Sequence, residues 1–125
     1  MTGTTKPRTI DDLCRVASQV CHCPADRILT RDRSGAVAQA RQFLYCYLSW
    51  YLGLRLAETG RVVGTRDHST VSYGITRMDG YLVTGHRAIV NRWAAFLALT
   101  AGWELEAWDF PALTQSTHTT ERTTS

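Results

Sequence analysis

Three observations predict an all-α domain: a helix bundle containing a helix-turn-helix, with one extra C-terminal helix. Apolar residues recur three and four apart, as in Leu13, Val16, Ala17 and Val20, and no stretch alternates with a period of two. Helix-start and helix-stop residues bracket these runs. The run Gly64-Thr65-Arg66-Asp67-His68-Ser69-Thr70-Val71 also joins a short helix to a second across a glycine-bearing turn, which is the layout of a helix-turn-helix.

Residues 1–9 are a polar leader, expected to be mobile. A helix over Ile10–Val20 follows, with Thr9 as N-cap and Asp11 and Asp12 in the first turn, where negative charge suits the helix dipole. Pro24 stops it, Ala25–Leu29 makes one further turn, and Thr30–Gly35 is a basic loop. Ala36–Leu54 is predicted as the longest helix, with Val37, Phe43, Leu44, Tyr47, Leu48, Tyr51 and Leu52 as its core stripe. Arg55–Gly64 is a short helix with Leu56, Gly60 and Val63 inward, ended by Gly64 as the left-handed residue of the turn. Asp67 caps the next helix, whose buried stripe begins with Val71 and Ile75. Asp67, His68 and Ser69 are thereby left on an exposed first turn, the part of a recognition helix that meets base edges in the major groove.

Beyond this unit, residues 84–102 are predicted as a further helix, and Trp93–Trp103 is apolar except at Thr100. The run is shorter than the about 18–20 residues that a membrane span requires, so it is to be buried in protein. Two burial sites stay open: the domain's own core, or a docking surface with Trp93, Phe96, Trp103 and Trp108 as anchors. Residues 111–125, rich in Thr and Ser from Thr114 onward, are expected to be a disordered tail.

A chain of 125 residues holds one domain, and no Gly-x-x-x-x-Gly-Lys-Ser/Thr loop for a nucleotide occurs in it. Its net charge of +3 is unevenly spread: residues 1–66 carry ten Lys and Arg against five Asp and Glu, residues 67–125 four against six. Lys6 is the only lysine, so the basic half is almost wholly arginine, the residue suited to bidentate phosphate and guanine contacts and to narrow minor grooves. Cys14, Cys21, Cys23 and Cys46 lack the paired spacing of a structural zinc site and fit better as small buried hydrophobes; no metal or cofactor is expected. No signal peptide precedes the first helix, which points to a reducing cytoplasm and no disulfides. His68 stands between Asp67 and Ser69, but neighbours on a helix point in different directions and cannot form a catalytic line, so no enzyme is expected.

The run Gly64–Val71 closely resembles the signature of the C-terminal DNA-binding domain of the bacterial replication initiator DnaA, where Gly-Gly-Arg-Asp-His-Thr-Thr-Val opens the recognition helix. The resemblance continues upstream through Arg31–Gln42, with Arg33, Ser34, Val37, Ala38, Arg41 and Gln42 in place, and through Val16–Leu29. It covers residues 10–82 and implies a fold of the DnaA C-terminal, Trp-repressor-like type; the additional apolar helix and cap over 83–110 lie beyond it. It further implies that Arg33 enters the minor groove, that Arg41 and Gln42 face DNA, and that Arg66, Asp67 and His68 read phosphates and bases. Arg31, Ser34, Ser69 and Thr70 complete the expected DNA surface. Asp67 is expected to accept from a cytosine amino group and His68 to lie against a thymine methyl. The sequence departs from the family at Gly35, Gln39 and Ala40, where Arg, Arg and Pro are frequent, and at Ser69, where the family has Thr.

The expected activity is sequence-specific binding of double-stranded DNA by a nucleoid-associated protein, without nucleotide or membrane. The favoured role is a transcriptional regulator of activator type, in a phage-like or mobile gene cluster, that contacts RNA polymerase, a co-activator or another DNA-binding protein through the C-terminal helix. The alternative is replication initiation or its control at DnaA-box-like sites.

Overall fold

The computed structural model describes residues 6–113; of the tail expected to be disordered over 111–125, the part from Thr114 onward lies outside them, while 111–113 instead form a helical turn in which Leu113 N–H donates to the Phe110 carbonyl at 2.9 Å. Five α-helices form the bundle: α1 (Ile10–Cys21), α2 (Gly35–Cys46), α3 (Leu56–Val62), α4 (His68–Thr84) and α5 (Arg87–Leu99). Short 3-10 turns occupy Ala25–Arg27 and Trp103–Leu105, and no strand occurs among the described residues.

α1 starts as its sequence predicts. Thr9 is extended, and its N–H donates to the Asp12 carboxylate at 2.9 Å, satisfying a donor that the first turn leaves open. Leu13, Val16, Ala17 and Val20 are all buried. The leader is less loose than expected at its inner end. Arg8 N–H donates to the Ala107 carbonyl and Asp109 N–H to the Arg8 carbonyl, both at 2.8 Å, while the Arg8 guanidinium lies 3.9 Å from the Trp103 ring centre. Residues far apart in sequence hold this segment, which local polarity cannot reveal.

The predicted Ala36–Leu54 helix is corrected. Its α-helical part ends at Cys46, and Tyr47–Tyr51 form a π-helical turn in which Leu52 N–H reaches the Tyr47 carbonyl at 3.2 Å. Inserting this wide turn shifts the register, so Tyr51 is 43% exposed instead of lying in the core stripe. α4, with 17 residues, is longer than the 12-residue α2.

α2 is the central element. It packs against α1 on one side and α4 on the other, while α5 closes over α1 and α4. Phe43 meets Trp93 and Phe96 edge-on, at 5.3 and 5.7 Å between ring centres, and Tyr47 meets Phe96 likewise at 5.7 Å. Phe96 is fully buried and Trp93 nearly so. The docking expectation is therefore corrected for these two: they are core residues. Trp103 and Trp108 are half-buried, and the Trp108 ring nitrogen donates to the Trp103 carbonyl at 3.0 Å. The predicted 84–102 span shortens to Arg87–Leu99, because Gly85 turns left-handed after α4 and Thr100 caps α5. No described helix is long and apolar enough to cross a membrane.

All four cysteines are buried thiols, and burial pushes those of Cys14, Cys21 and Cys46 up to about 12. They pack as small apolar side chains.

Candidate nucleic-acid interface

α3 and α4 form the helix-turn-helix. At the start of α3, Arg55 N–H donates to the Glu58 carboxylate at 2.9 Å, and at its end the chain turns through two successive left-handed residues, Gly64 (φ 73°) and Thr65 (φ 60°). The first is the residue expected there. The second is a β-branched side chain in a conformation that such residues rarely adopt. Arg66 N–H then donates to the Gly60 carbonyl at 2.6 Å, closing the turn back on α3.

Asp67 caps α4. One carboxylate oxygen accepts from Ser69 N–H at 3.0 Å and from the Ser69 hydroxyl, and these bonds hold the carboxyl below the usual carboxylate range. Its other oxygen lies 3.9 Å from His68 Nδ1. Asp67, His68, Ser69 and Thr70 are all exposed, so the first turn presents an acceptor, an imidazole and two hydroxyls to a facing surface.

The basic loop lies beside this turn and is stapled by its own polar groups. Thr30 donates to the Arg27 carbonyl at 2.6 Å, and Asp32 accepts from Ser34 N–H at 2.7 Å, which holds the Asp32 carboxyl low. Arg31, Arg33 and Ser34 remain exposed. Arg66 joins loop to turn, since its guanidinium donates to the Thr30 carbonyl.

Arg41, expected to face DNA, is only 8% exposed. Its Nε donates to the Ile28 carbonyl at 2.8 Å and a terminal nitrogen to the Thr30 carbonyl at 2.6 Å. Burial and the adjacent Arg66 pull it down from the usual arginine range. This arginine holds the loop against α2, and the loop's exposed cations are Arg31 and Arg33, with Arg27 paired to Asp32 at 3.6 Å and part of Arg66 beside them. A residue's periodic position on a helix does not reveal that backbone carbonyls from a loop will surround it. Gln42 is half-buried and lines the groove between α2 and α4.

Two polar features escaped sequence reasoning. Arg77 on α4 donates to the hydroxyls of Tyr73 (3.2 Å) and Tyr81 (2.6 Å), four residues to either side, and these bonds raise it further above the usual arginine range. The four-residue spacing was the available signal. Gln39, where an arginine is frequent in the family, accepts from Arg92 at 2.7 Å and so ties α2 to the added helix α5.

Residues 10–78 match the family model described as the bacterial dnaA protein helix-turn-helix. The chromosomal replication initiator protein DnaA of Xanthobacter autotrophicus is 37% identical over 83 residues, which make up 66% of this chain and 16% of that protein. The protein of the same name from Bacteroides thetaiotaomicron is 32% identical over 78 residues, 62% of this chain and 17% of its own length. That of Bacteroides fragilis is 29% identical over 76 residues, with shares of 61% and 16%. The chain thus spans about a sixth of the length of the curated relatives it matches.

Proposed function

The chain belongs to the bacterial DnaA helix-turn-helix family, and on that premise we propose that it is a sequence-specific double-stranded DNA-binding protein that acts as a transcriptional regulator by occupying its site. The observation that carries this reading is the single surface made by the basic loop and the first turn of α4, joined through the Arg66 bond to the Thr30 carbonyl. Arg31 and Arg33 supply charge for the phosphate backbone and the minor groove. Arg66 anchors the turn, and Asp67, His68, Ser69 and Thr70 meet base edges and phosphates in the major groove. The regulatory role is supported by what the chain adds beyond the matched segment: α5 completes the core of the reading head and leaves its DNA face open.

A second reading is control of replication at DnaA-box-like sites, favoured by the name shared by the relatives. Selection of bound duplexes from a random pool, followed by occupancy mapping in cells, tests both. Peaks at promoters support the regulator, whereas clustering at an origin supports the replication role. Retention of the whole pool without enrichment would contradict sequence-specific reading altogether.

A further inference from the structure

Between α2 and α4, directly behind the reading turn, lies an open groove of about 210 Å³. Arg41, Gln42, Tyr45, Thr70 and Tyr73 line it, with Gly74 at its base, and no carboxylate is among the lining residues. Thr70 belongs to the exposed first turn of α4, so one wall of the groove is also part of the proposed DNA face.

Tyr45 stands out among these. Its ring is 3% exposed, yet its hydroxyl, unlike that of Tyr47, is not sealed from solvent without a partner. A phenol held in the lining of the groove is thus left to bond with what enters it. The ring has been let into this position by Gly74: a Cβ there would stand 2.7 Å from Tyr45 Cδ2 and 2.9 Å from Cε2, closer than carbon atoms pack. Glycine inside a helix is unfavourable relative to alanine, so this pairing spends helix stability to bring a phenol to the groove. Burial pushes the Tyr45 phenol up while the Arg66 and Arg41 guanidiniums pull it down, and the net shift is upward. The hydroxyl therefore keeps its proton at neutral pH and acts as a donor.

We infer that Tyr45 is a further DNA-contacting residue, whose hydroxyl donates to one backbone phosphodiester seated in the groove over Gly74, beside Thr70 and Gln42. The site suits a phosphodiester on three counts. It offers neutral donors at the wall, the Arg41 guanidinium in the lining with Arg66 beside it, and no carboxylate in the lining. Its role is to set how deeply the turn of α4 sits along the backbone, which gives register without reading a base. The inference rests on the DNA-binding reading above and deepens it.

Tyr45→Phe removes the hydroxyl and keeps the ring over Gly74. The test measures its affinity and that of the wild type for a selected duplex and for a scrambled one, across a salt series. The loss expected is about tenfold and equal on both duplexes, with the melting temperature unchanged, as for a hydrogen bond to a charged group. The salt slope should not change, because a neutral donor releases no counterion, whereas loss of a phosphate-bound arginine reduces it by about 0.9. Neutral methylphosphonate linkages introduced one at a time into the selected duplex should locate a single position at which Tyr45→Phe costs little further. Wild-type affinity in Tyr45→Phe, or an equal loss at every methylphosphonate position, would overturn the inference while leaving the DNA-binding reading intact. A wild-type protein that retains neither duplex would overturn that reading and Tyr45's role together.

Discussion

Midway along α2, Arg41 reaches the carbonyls of Ile28 and Thr30 beside an exposed polar turn; on another side of the helix and just beyond its end, Phe43 and Tyr47 sit among Trp93 and Phe96. The first region is directional, held by guanidinium-to-carbonyl bonds that fix where a loop stands. The second is held by apolar area and ring packing, which stabilise without aiming anything. Residue type does not decide role in this chain. Arg33 is exposed on the proposed DNA face while Arg41 is buried beneath it, and Trp103 is half-covered by Arg8 while Trp93 is core.

This division predicts separable defects, the largest in the aromatic region. Phe96→Ala removes a fully buried ring at the centre of the cluster and should cost about 3–5 kcal/mol in denaturant unfolding. Below the unfolding transition, duplex affinity per folded molecule should match wild type. A specific loss of affinity in the folded variant would break the division.

Arg41→Ala should do both kinds of damage. It strands the Ile28 carbonyl, leaves that of Thr30 to Arg66 alone and lets the loop drift, for a stability loss of about 1–3 kcal/mol together with weaker binding of every duplex. Arg41→Lys should not restore binding, because one ammonium on a flexible stem cannot reproduce the fixed fork of a guanidinium. Full rescue by lysine would mean that charge alone is needed there.

A smaller effect of opposite sign is expected at Thr65. Its left-handed conformation is strained for a β-branched residue, and Thr65→Gly should stabilise the domain by about 1 kcal/mol, as read by melting temperature. An unchanged or lowered melting temperature would indicate that the turn bears no strain at this position.

Much of the candidate DNA-binding region was legible because its signals are local. Asp67 as cap, the left-handed Gly64 and the exposed turn at 67–70 all follow from neighbours within four residues. The starts of α1 and α4 were legible for the same reason. What the sequence concealed depends on distant partners. The π turn at Tyr47–Tyr51 brings Trp50 and Tyr51 against Trp93, Arg8 pairs across the fold with residues 107–109, and Arg41 is enclosed by a loop eleven to thirteen residues earlier. Apolarity showed that Trp93 and Phe96 must be buried, but only the position of Phe43 across from them shows against what. Tyr45 and Gly74 look unremarkable apart, and their meaning lies in their contact.

The claim that the first turn of α4 reads bases is tested most directly by measuring the affinity of wild type and His68→Ala for the selected site and for each of its single-pair variants. A loss of about 1–3 kcal/mol is expected on the preferred site, with discrimination relaxed at one base step and retained elsewhere. A uniform loss across all duplexes, or discrimination unchanged at every step, would contradict it.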